Sequence, residues 1–163
     1  MIVEARIEIP MGSQNKYEIE EESGKIKLDR VLFSSSHYPA EYGYIENTLS
    51  GDGDPLDILV LTSSPTFPGC YVESRVIGGM NMIDSSEEDT KLVAVNVGDP
   101  RYQHIKKMED LGPHMLIELE NFFSTYKTLQ GATTKVLNFF DEEKAKEYLE
   151  EAKRNYEKKH QNM

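Results

Sequence analysis

Three aspartates are crowded into the segment GDGDPLDILVL, residues 51–61, directly before an apolar run that is typical of a buried strand. They are Asp52, Asp54 and Asp57. A turn explains this composition, because Asp, Gly and Pro favour turn geometry. A helix-loop-helix calcium loop counted from Asp52 is excluded, since Asp57 stands where that loop needs glycine and Ser63 where it needs glutamate. The other hypothesis is a site for hard divalent cations, whose charge would offset the repulsion between the carboxylates.

A second acidic cluster, DSSEEDTK, also leads into an apolar run. Asp84 and Asp89 are five positions apart in it, the same separation as between Asp52 and Asp57. Both clusters are therefore predicted at the ends of buried strands. A solvated acidic loop is the alternative for the second cluster taken alone. Together the four aspartates favour a two-metal centre, in which ions about 4 Å apart use shared and separate carboxylates.

Basic side chains near these clusters could bind an anion. Lys16 and Glu18 lie on one face of a predicted strand by its two-residue period, although a solvated surface pair would look the same. Arg30 continues the parity of Ile26 and Leu28, so it is predicted to point inward, where an arginine needs an anionic partner.

Three further candidates follow from local position. Lys91 comes two residues after Asp89, which places both side chains on one side if the strand has begun by then. Tyr126 lies on the apolar face of a predicted helix, and Lys127 adjoins it near the C-terminal end. The helix dipole alone also favours a cation there.

The composition restricts the class of protein. A chain of 163 residues with 38% hydrophobic residues predicts a single domain over residues 1–163. A net charge of −11 argues against binding to nucleic acids or anionic membranes, which attract basic surfaces. The one cysteine, Cys70, can form no internal disulfide. With neither a signal peptide nor an apolar stretch of about 18 residues, the chain is predicted to be cytoplasmic.

Periodicity predicts strands first and helices afterwards. Alternation predicts a β-meander over residues 3–9, 16–20 and 25–33, followed by strands over 57–61, 71–77, 91–97 and about 134–140. Pro113 and Gly131 bound one amphipathic helix, and Asp141 caps a second. Their apolar stripes are Met115, Leu116, Leu119, Phe122, Phe123 and Tyr126 in the first, and Ala145, Tyr148, Leu149, Ala152 and Tyr156 in the second. This order predicts a mainly β protein of the α+β class, a small closed barrel with helices outside.

Six separated pieces of the chain, in order between Glu8 and Lys127, carry a family resemblance: KYEIE, DR, HYPAEYGYI, DGDPLD, DSSEEDTK with LVAV, and FFSTYK. Together they resemble the soluble family I inorganic pyrophosphatases of the short, prokaryotic type. The resemblance implies a five-stranded OB-type closed barrel with flanking C-terminal helices. It also implies Mg²⁺-dependent hydrolysis of pyrophosphate to two orthophosphates, with several ions and other divalent cations possible, and a homo-hexamer.

The resemblance also implies a role for individual residues. Asp54 would be the general base that takes a proton from metal-activated water, and Tyr42 would lie beside the leaving phosphate, with Tyr38 and Glu8 in support. The implied metal ligands are Asp52, Asp57, Asp84, Asp89 and Glu18. The implied substrate-binding residues are Lys16, Arg30, Tyr42, Lys91, Tyr126 and Lys127.

The second cluster departs from the family pattern. Members commonly have an acidic residue after its first aspartate and often a glycine within it, whereas this chain has Ser85 and Glu87 there. The departure leaves the geometry of that loop open. Two other functions also stay open: a metal-dependent phosphatase acting on nucleotides or monoesters, and an OB-type nucleic-acid-binding module, against which the acidity argues.

Overall fold

The computed structural model describes residues 1–161, which form strands through the first two thirds and helices mainly in the last third. The strands are β1 (Ile2–Ile9), β2 (Asn15–Ile19), β3 (Ile26–Val31), β4 (Glu41–Ile45), β5 (Leu56–Leu61), β6 (Tyr71–Asp84), β7 (Glu87–Asn96) and β8 (Thr134–Asp141). The α-helices are α1 (Pro113–Thr125) and α2 (Glu142–Gln161). The prediction of a mainly β chain with two C-terminal helices is confirmed. Within the described residues, neither helix combines the length and apolarity needed to cross a membrane.

Six strands form one sheet in the order β1-β4-β5-β7-β6-β8, and β6 also pairs with β1. The pairings that leave β1 through β4 therefore return to it through β6. All are antiparallel except that between β5 and β7. Strands β2 and β3 form a separate antiparallel pair.

The predicted opening meander is wrong in one respect. β1 forms ladders with β4 and β6, so its backbone groups are used there and it forms no ladder with β2. A single bond links the two strands, from the backbone N–H of Ile19 to Glu8 Oε2, at 2.9 Å. Strand β4 was not predicted, because the tyrosines around it obscure its alternation.

Strands β6 and β7 are longer than predicted. The segment expected to join them continues both strands, leaving only Ser85 and Ser86 as the turn. Both serines have positive φ, 52° and 74°, the backbone that two-residue hairpins require. Asp84 is thus the last residue of β6 and not part of a connecting segment, and Asp89 lies inside β7, opposite Met82, so the prediction that both precede the strand is wrong.

Alternating side chains divide the core into two layers. In β5, Leu59 and Leu61 belong to the layer that contains α1, whereas Ile58 and Val60 belong to the layer that contains α2. The predicted helical stripes supply both layers. The fully buried stripe residues are Leu119, Phe122, Phe123 and Tyr126 near and in α1, and Ala145, Leu149 and Ala152 in α2.

The helix boundaries follow the sequence signals. Pro113 is the first residue of α1, and the helix ends at Thr125, earlier than predicted. Gly131, with a φ of 81°, instead ends a short 3-10 turn at Thr128–Gln130. Asp141 caps α2 as predicted, because its Oδ1 accepts a hydrogen bond from the backbone N–H of Lys144 at 3.0 Å.

We expect Leu119→Ala to lower the free energy of unfolding by about 2–4 kcal/mol, because truncation of a side chain that is 0% exposed leaves a cavity. Ile117 lies on the same helix but is 57% exposed. Ile117→Ala is the matched control and should change the free energy by less than about 0.5 kcal/mol. Chemical denaturation followed by circular dichroism measures both, and equal losses would contradict the packing of α1.

Candidate active site

The side chain of Lys91 joins two aspartates and a tyrosine inside the sheet. Its Nζ donates to Asp57 Oδ2 and Asp89 Oδ2, each at 3.0 Å, and to the hydroxyl of Tyr42 at 2.7 Å. The Tyr42 hydroxyl in turn donates to Asp57 Oδ2 at 2.9 Å. We call these four residues the Lys91 hub.

Strand pairing explains why the hub forms. Asp57 in β5 is the register partner of Lys91 in the parallel strand β7, and Asp89 lies two residues earlier on the same face. Tyr42 enters from β4, where its register partner is Leu59. The predicted same-side placement of Asp89 and Lys91 is confirmed.

Burial and charge compete within the hub. Burial alone would lower the pKa of Lys91, but Asp57, Tyr42 and Asp89 reverse this effect and raise it well above its ordinary value. Burial also raises the pKa of Asp89; Lys91 opposes that shift, whereas the charges of Asp57 and Asp52 add to it. Burial and Asp57 hold the pKa of Tyr42 well above its usual range, so its hydroxyl stays protonated. The Lys91 ammonium is therefore a permanent cation near neutral pH.

Aromatic rings surround the hub on the side of α1. Lys91 Nζ lies 4.9 Å from the ring centroid of Tyr42 and 5.6 Å from that of Phe123. Tyr38 contacts Tyr42 edge to face, and Tyr126 does the same with Phe123. Burial raises the pKa of Tyr126 to about 12. These tyrosines therefore offer hydroxyl donors, not anions.

The hairpin of β2 and β3 carries a second group of charges. Lys16 Nζ donates to Glu18 Oε1 at 2.9 Å, which confirms their predicted shared face, and to Asp29 Oδ2 at 3.1 Å. Arg30 donates to the same Asp29 oxygen at 2.6 Å and to Gln130 Oε1 at 3.3 Å. Asp29 was not singled out, because its partners depend on the pairing of Lys16 with Arg30 across the hairpin.

The predicted inward orientation of Arg30 rested on a wrong premise. Ile26 and Leu28, which share its parity, are 47% and 53% exposed. The hairpin stands apart from the main sheet, so neither face of β3 is a core face. Arg30 is nevertheless partly buried, and its partner is anionic as predicted.

Asp84 and Lys127 form an ion pair between the end of β6 and the residues that follow α1. Each side chain is 19% exposed. The backbone N–H of Ser85 donates to the carbonyl of Thr133 at 2.9 Å, which holds the β6–β7 turn beside the same segment. Two predicted site residues that are far apart in the sequence therefore meet here.

The loop of residues 50–54 is a turn that presents carboxylates. Asp52 Oδ1 accepts from the Ser50 hydroxyl at 2.7 Å and from the backbone N–H of Asp54 at 2.9 Å. Gly53 has a φ of 87°, a backbone that favours glycine. Asp54 is exposed, and desolvation followed by the charges of Asp52 and Glu18 raises its pKa. The turn explanation and a carboxylate site are thus compatible.

A cavity of about 530 Å³ opens beside these groups. Its lining brings together Glu8, Lys16, Glu18, Tyr42, Asp54 and Asp57. Asp52 lies on a neighbouring cavity with the exposed Glu87 and Glu88. The remaining predicted residues, Arg30, Asp84, Asp89, Lys91, Tyr126 and Lys127, do not line the first cavity.

Glu8 is partly buried at the wall of this cavity. Desolvation raises the pKa of its carboxyl group to about 7, with smaller contributions from Asp57 and Glu18. The backbone N–H of Ile19 and the charge of Lys16 oppose the shift. Glu8 therefore carries a proton over part of the neutral range.

The acidic side chains of the site suit a hard cation, although their carboxylates are paired with lysines in the structure. Within residues 1–161, no three Asp, Glu, His or Cys side chains are gathered closely enough to hold a metal ion. Lys91 binds one oxygen each of Asp57 and Asp89, Lys127 binds Asp84, and Lys16 binds Glu18. The ligands offered are all carboxylate oxygens, which Mg²⁺ and similar ions prefer.

The chain is similar to known proteins in both sequence and fold. A family model described as inorganic pyrophosphatase matches residues 5–157. The chain is 57% identical over 150 residues to the inorganic pyrophosphatase of Geobacillus stearothermophilus, covering 92% of this chain and 91% of that protein. It is 56% identical over 150 residues to that of Halalkalibacterium halodurans, covering 92% of both. The crystal structure of the inorganic pyrophosphatase from Thermus thermophilus has a TM-score of 0.93 at 42% identity, covering 96% of this chain and 91% of that one.

We expect Glu8→Gln to stabilise the chain at pH 8 but not at pH 4.5. The folded pKa of about 7 lies above the ordinary 4.5, so the folded state holds this proton more tightly. The free energy of unfolding therefore falls as the pH rises from about 4.5 to about 7, and the variant, which cannot ionise, should avoid about 2–3 kcal/mol of this loss.

Urea unfolding at both pH values, with a chelator present, measures this difference. The control is Glu4→Gln, at an exposed position on the same strand, β1. An equal effect of Glu8→Gln at the two pH values would contradict the raised pKa.

Proposed function

Because the chain belongs to the inorganic pyrophosphatase family and is therefore a hydrolase of pyrophosphate, we propose that its reaction is Mg²⁺-dependent and uses Asp54 as general base. The observation that carries the proposal is the mixture of carboxylates and cations at the 530 Å³ cavity, which is lined by Tyr42 and Asp57 of the Lys91 hub and by Lys16 and Glu18 of the hairpin. Such an arrangement can hold cations and a highly charged anion together.

The basic and phenolic residues bind the substrate. Pyrophosphate carries about three to four negative charges near neutral pH, so attack by water is opposed until positive groups stabilise the phosphoryl oxygens. Lys16 and Lys91 each pair with two carboxylates, and Lys127 with one, so their ammonium groups are already held in place. These ammonium groups therefore need to move little when the substrate binds. The phosphate-binding set is Lys16, Arg30, Tyr42, Lys91, Tyr126 and Lys127.

The acidic residues hold the ions. Asp57 and Asp89 belong to the hub, Asp52 belongs to the loop of residues 50–54, and Asp84 and Glu18 complete the set. When bound, Mg²⁺ neutralises phosphoryl charge and makes water more acidic. Among these residues, the second oxygens of Asp57 and Asp89 are not the atoms bonded to Lys91. They can accept a ligand while the hub is retained.

Asp54 removes the proton from the attacking water. Its side chain is exposed at the cavity, between Asp52 and Asp57 in the sequence, and its backbone N–H is fixed by Asp52 Oδ1. In this proposal the carboxylate faces the cavity and is not itself a ligand. Tyr42 keeps its proton, which it donates to Asp57 in the structure and can donate to the leaving phosphate instead.

Four further features are part of the proposal. The pairings that return to β1 support an OB-type closed barrel of β1, β4, β5, β7 and β6. The absence of an evident linker in the sequence supports a single domain over residues 1–163. The homo-hexamer rests on the resemblance to short prokaryotic members, and the cytoplasmic location on the sequence pattern and the single cysteine.

We expect phosphate release from pyrophosphate in the presence of Mg²⁺, and little without it. Pyrophosphate, ATP and a phosphate monoester, compared with and without the metal, separate the proposal from a broader phosphatase. Pyrophosphate should be preferred by a large factor. Comparable release from ATP or the monoester would favour the broader phosphatase, and undiminished release in a chelator would contradict the metal dependence.

We expect Asp54→Asn to lower kcat by about 10²–10⁴-fold, the usual range for loss of a general base, while Mg²⁺ affinity is largely retained. Asp57→Ala should weaken both, because it removes a ligand and a hub partner. Steady-state kinetics with calorimetric Mg²⁺ titration distinguishes the two roles. Full activity of Asp54→Asn would contradict the role of Asp54 as general base. Normal Mg²⁺ binding by Asp57→Ala would contradict the role of Asp57 as a metal ligand.

A further inference from the structure

The last turns of α2 form part of the wall of the 530 Å³ cavity. Tyr156, Lys159 and His160 line it together with Glu18 and Asp54. The C-terminal end of the helix therefore faces the same space as the proposed base and a proposed metal ligand.

Hydrogen bonds hold this part of the helix against the acidic loop. The backbone N–H of Leu49, just before the loop, donates to the carbonyl of Ala152 at 2.9 Å. Asn155 Nδ2 donates back to the carbonyl of Leu49 at 3.3 Å. The rings of Tyr156 and His160 stack at a centroid distance of 3.9 Å, which orders the final turn. The helix that carries Lys159 is thus bonded to the residue that precedes the acidic loop.

Lys159 differs from the other basic side chains of the cavity. Arg6 lies beside Glu46 and is bonded to the carbonyl of Gly69, and Lys16 is paired with Glu18 and Asp29. Lys159 forms no ion pair with any residue in the range 1–161. Its charge is available to an incoming anion.

We propose that the C-terminal turn of α2 is part of the substrate cleft and that Lys159 recruits pyrophosphate by binding its outer phosphoryl oxygens. Carboxylates outnumber basic groups in the cavity lining, so an approaching anion meets repulsion that a cation at the wall reduces. The inference rests on the proposed assignment of this cavity as the substrate site. Because Lys159 is exposed, its effect should fall on capture of the substrate and diminish as salt screens the charge.

The test compares Lys159→Ala with Lys158→Ala, which removes the same charge from an adjacent exposed residue outside the cavity. At low ionic strength, Lys159→Ala should lower kcat/KM for pyrophosphate by about two- to fivefold with kcat nearly unchanged. Lys158→Ala should leave both as in the parent. Lys159→Arg should restore kcat/KM, and the difference between Lys159→Ala and the parent should shrink at high salt.

Other outcomes would overturn the inference. Equal kcat/KM for Lys159→Ala and Lys158→Ala would show that Lys159 has no specific role in capture of pyrophosphate. A fall in kcat accompanied by a lower melting temperature, without salt dependence, would indicate only structural support. If the parent chain itself released no phosphate from pyrophosphate, the proposed function would fail, a result distinct from either of these.

Discussion

The buried ammonium group of Lys91, shared by Asp57 and Asp89, is the interaction on which the arrangement of the site depends. Without the ammonium group, the two carboxylates would be partly buried charges of the same sign with no partner. Removal of one partner from a buried ion pair costs several kcal/mol. Well-packed apolar side chains would serve stability as well or better. Stability alone therefore does not explain the hub, whose ammonium group lies against the rings of Tyr42 and Phe123.

This interaction explains the strand order around it. Asp57 and Lys91 face each other because β5 and β7 run parallel, and two parallel strands cannot be joined by a tight turn. The connection passes through β6, which then forms the antiparallel hairpin with β7 and ends at Asp84. One topological choice thus places three of the acidic residues in a single region. The charges of the β2–β3 hairpin, by contrast, are anchored to the main sheet through Glu8.

The sequence was sufficient where the signal is local. Periodicity predicted both helices, most strands and the shared side of Asp89 and Lys91. It could not reveal the pairing of Lys91 with Asp57, because register between distant strands leaves no mark on either segment. Strand β4 was not predicted. Its ladder with β1 requires glycine at position 43, because a Cβ on Gly43 would lie 1.9 Å from the Arg6 carbonyl oxygen. The two-residue period gave the wrong reason for the orientation of Arg30. It indicates an inward side only where one face of a strand packs on a core, and β3 has no such face. The catalytic and ligand roles of individual residues remain predictions.

Strand β6 is bonded along both edges, to β7 over most of its length, to β1 in its first half and to β8 in its second. The part of β6 that lies between β7 and β8 therefore has partners on both sides, so its amide protons should exchange mainly through global opening and not by fraying. Since Asp89 and Lys91 lie in the neighbouring strand β7, heating should not loosen the Lys91 hub ahead of the sheet. Loss of the Lys91 hub and global melting would then be one cooperative event.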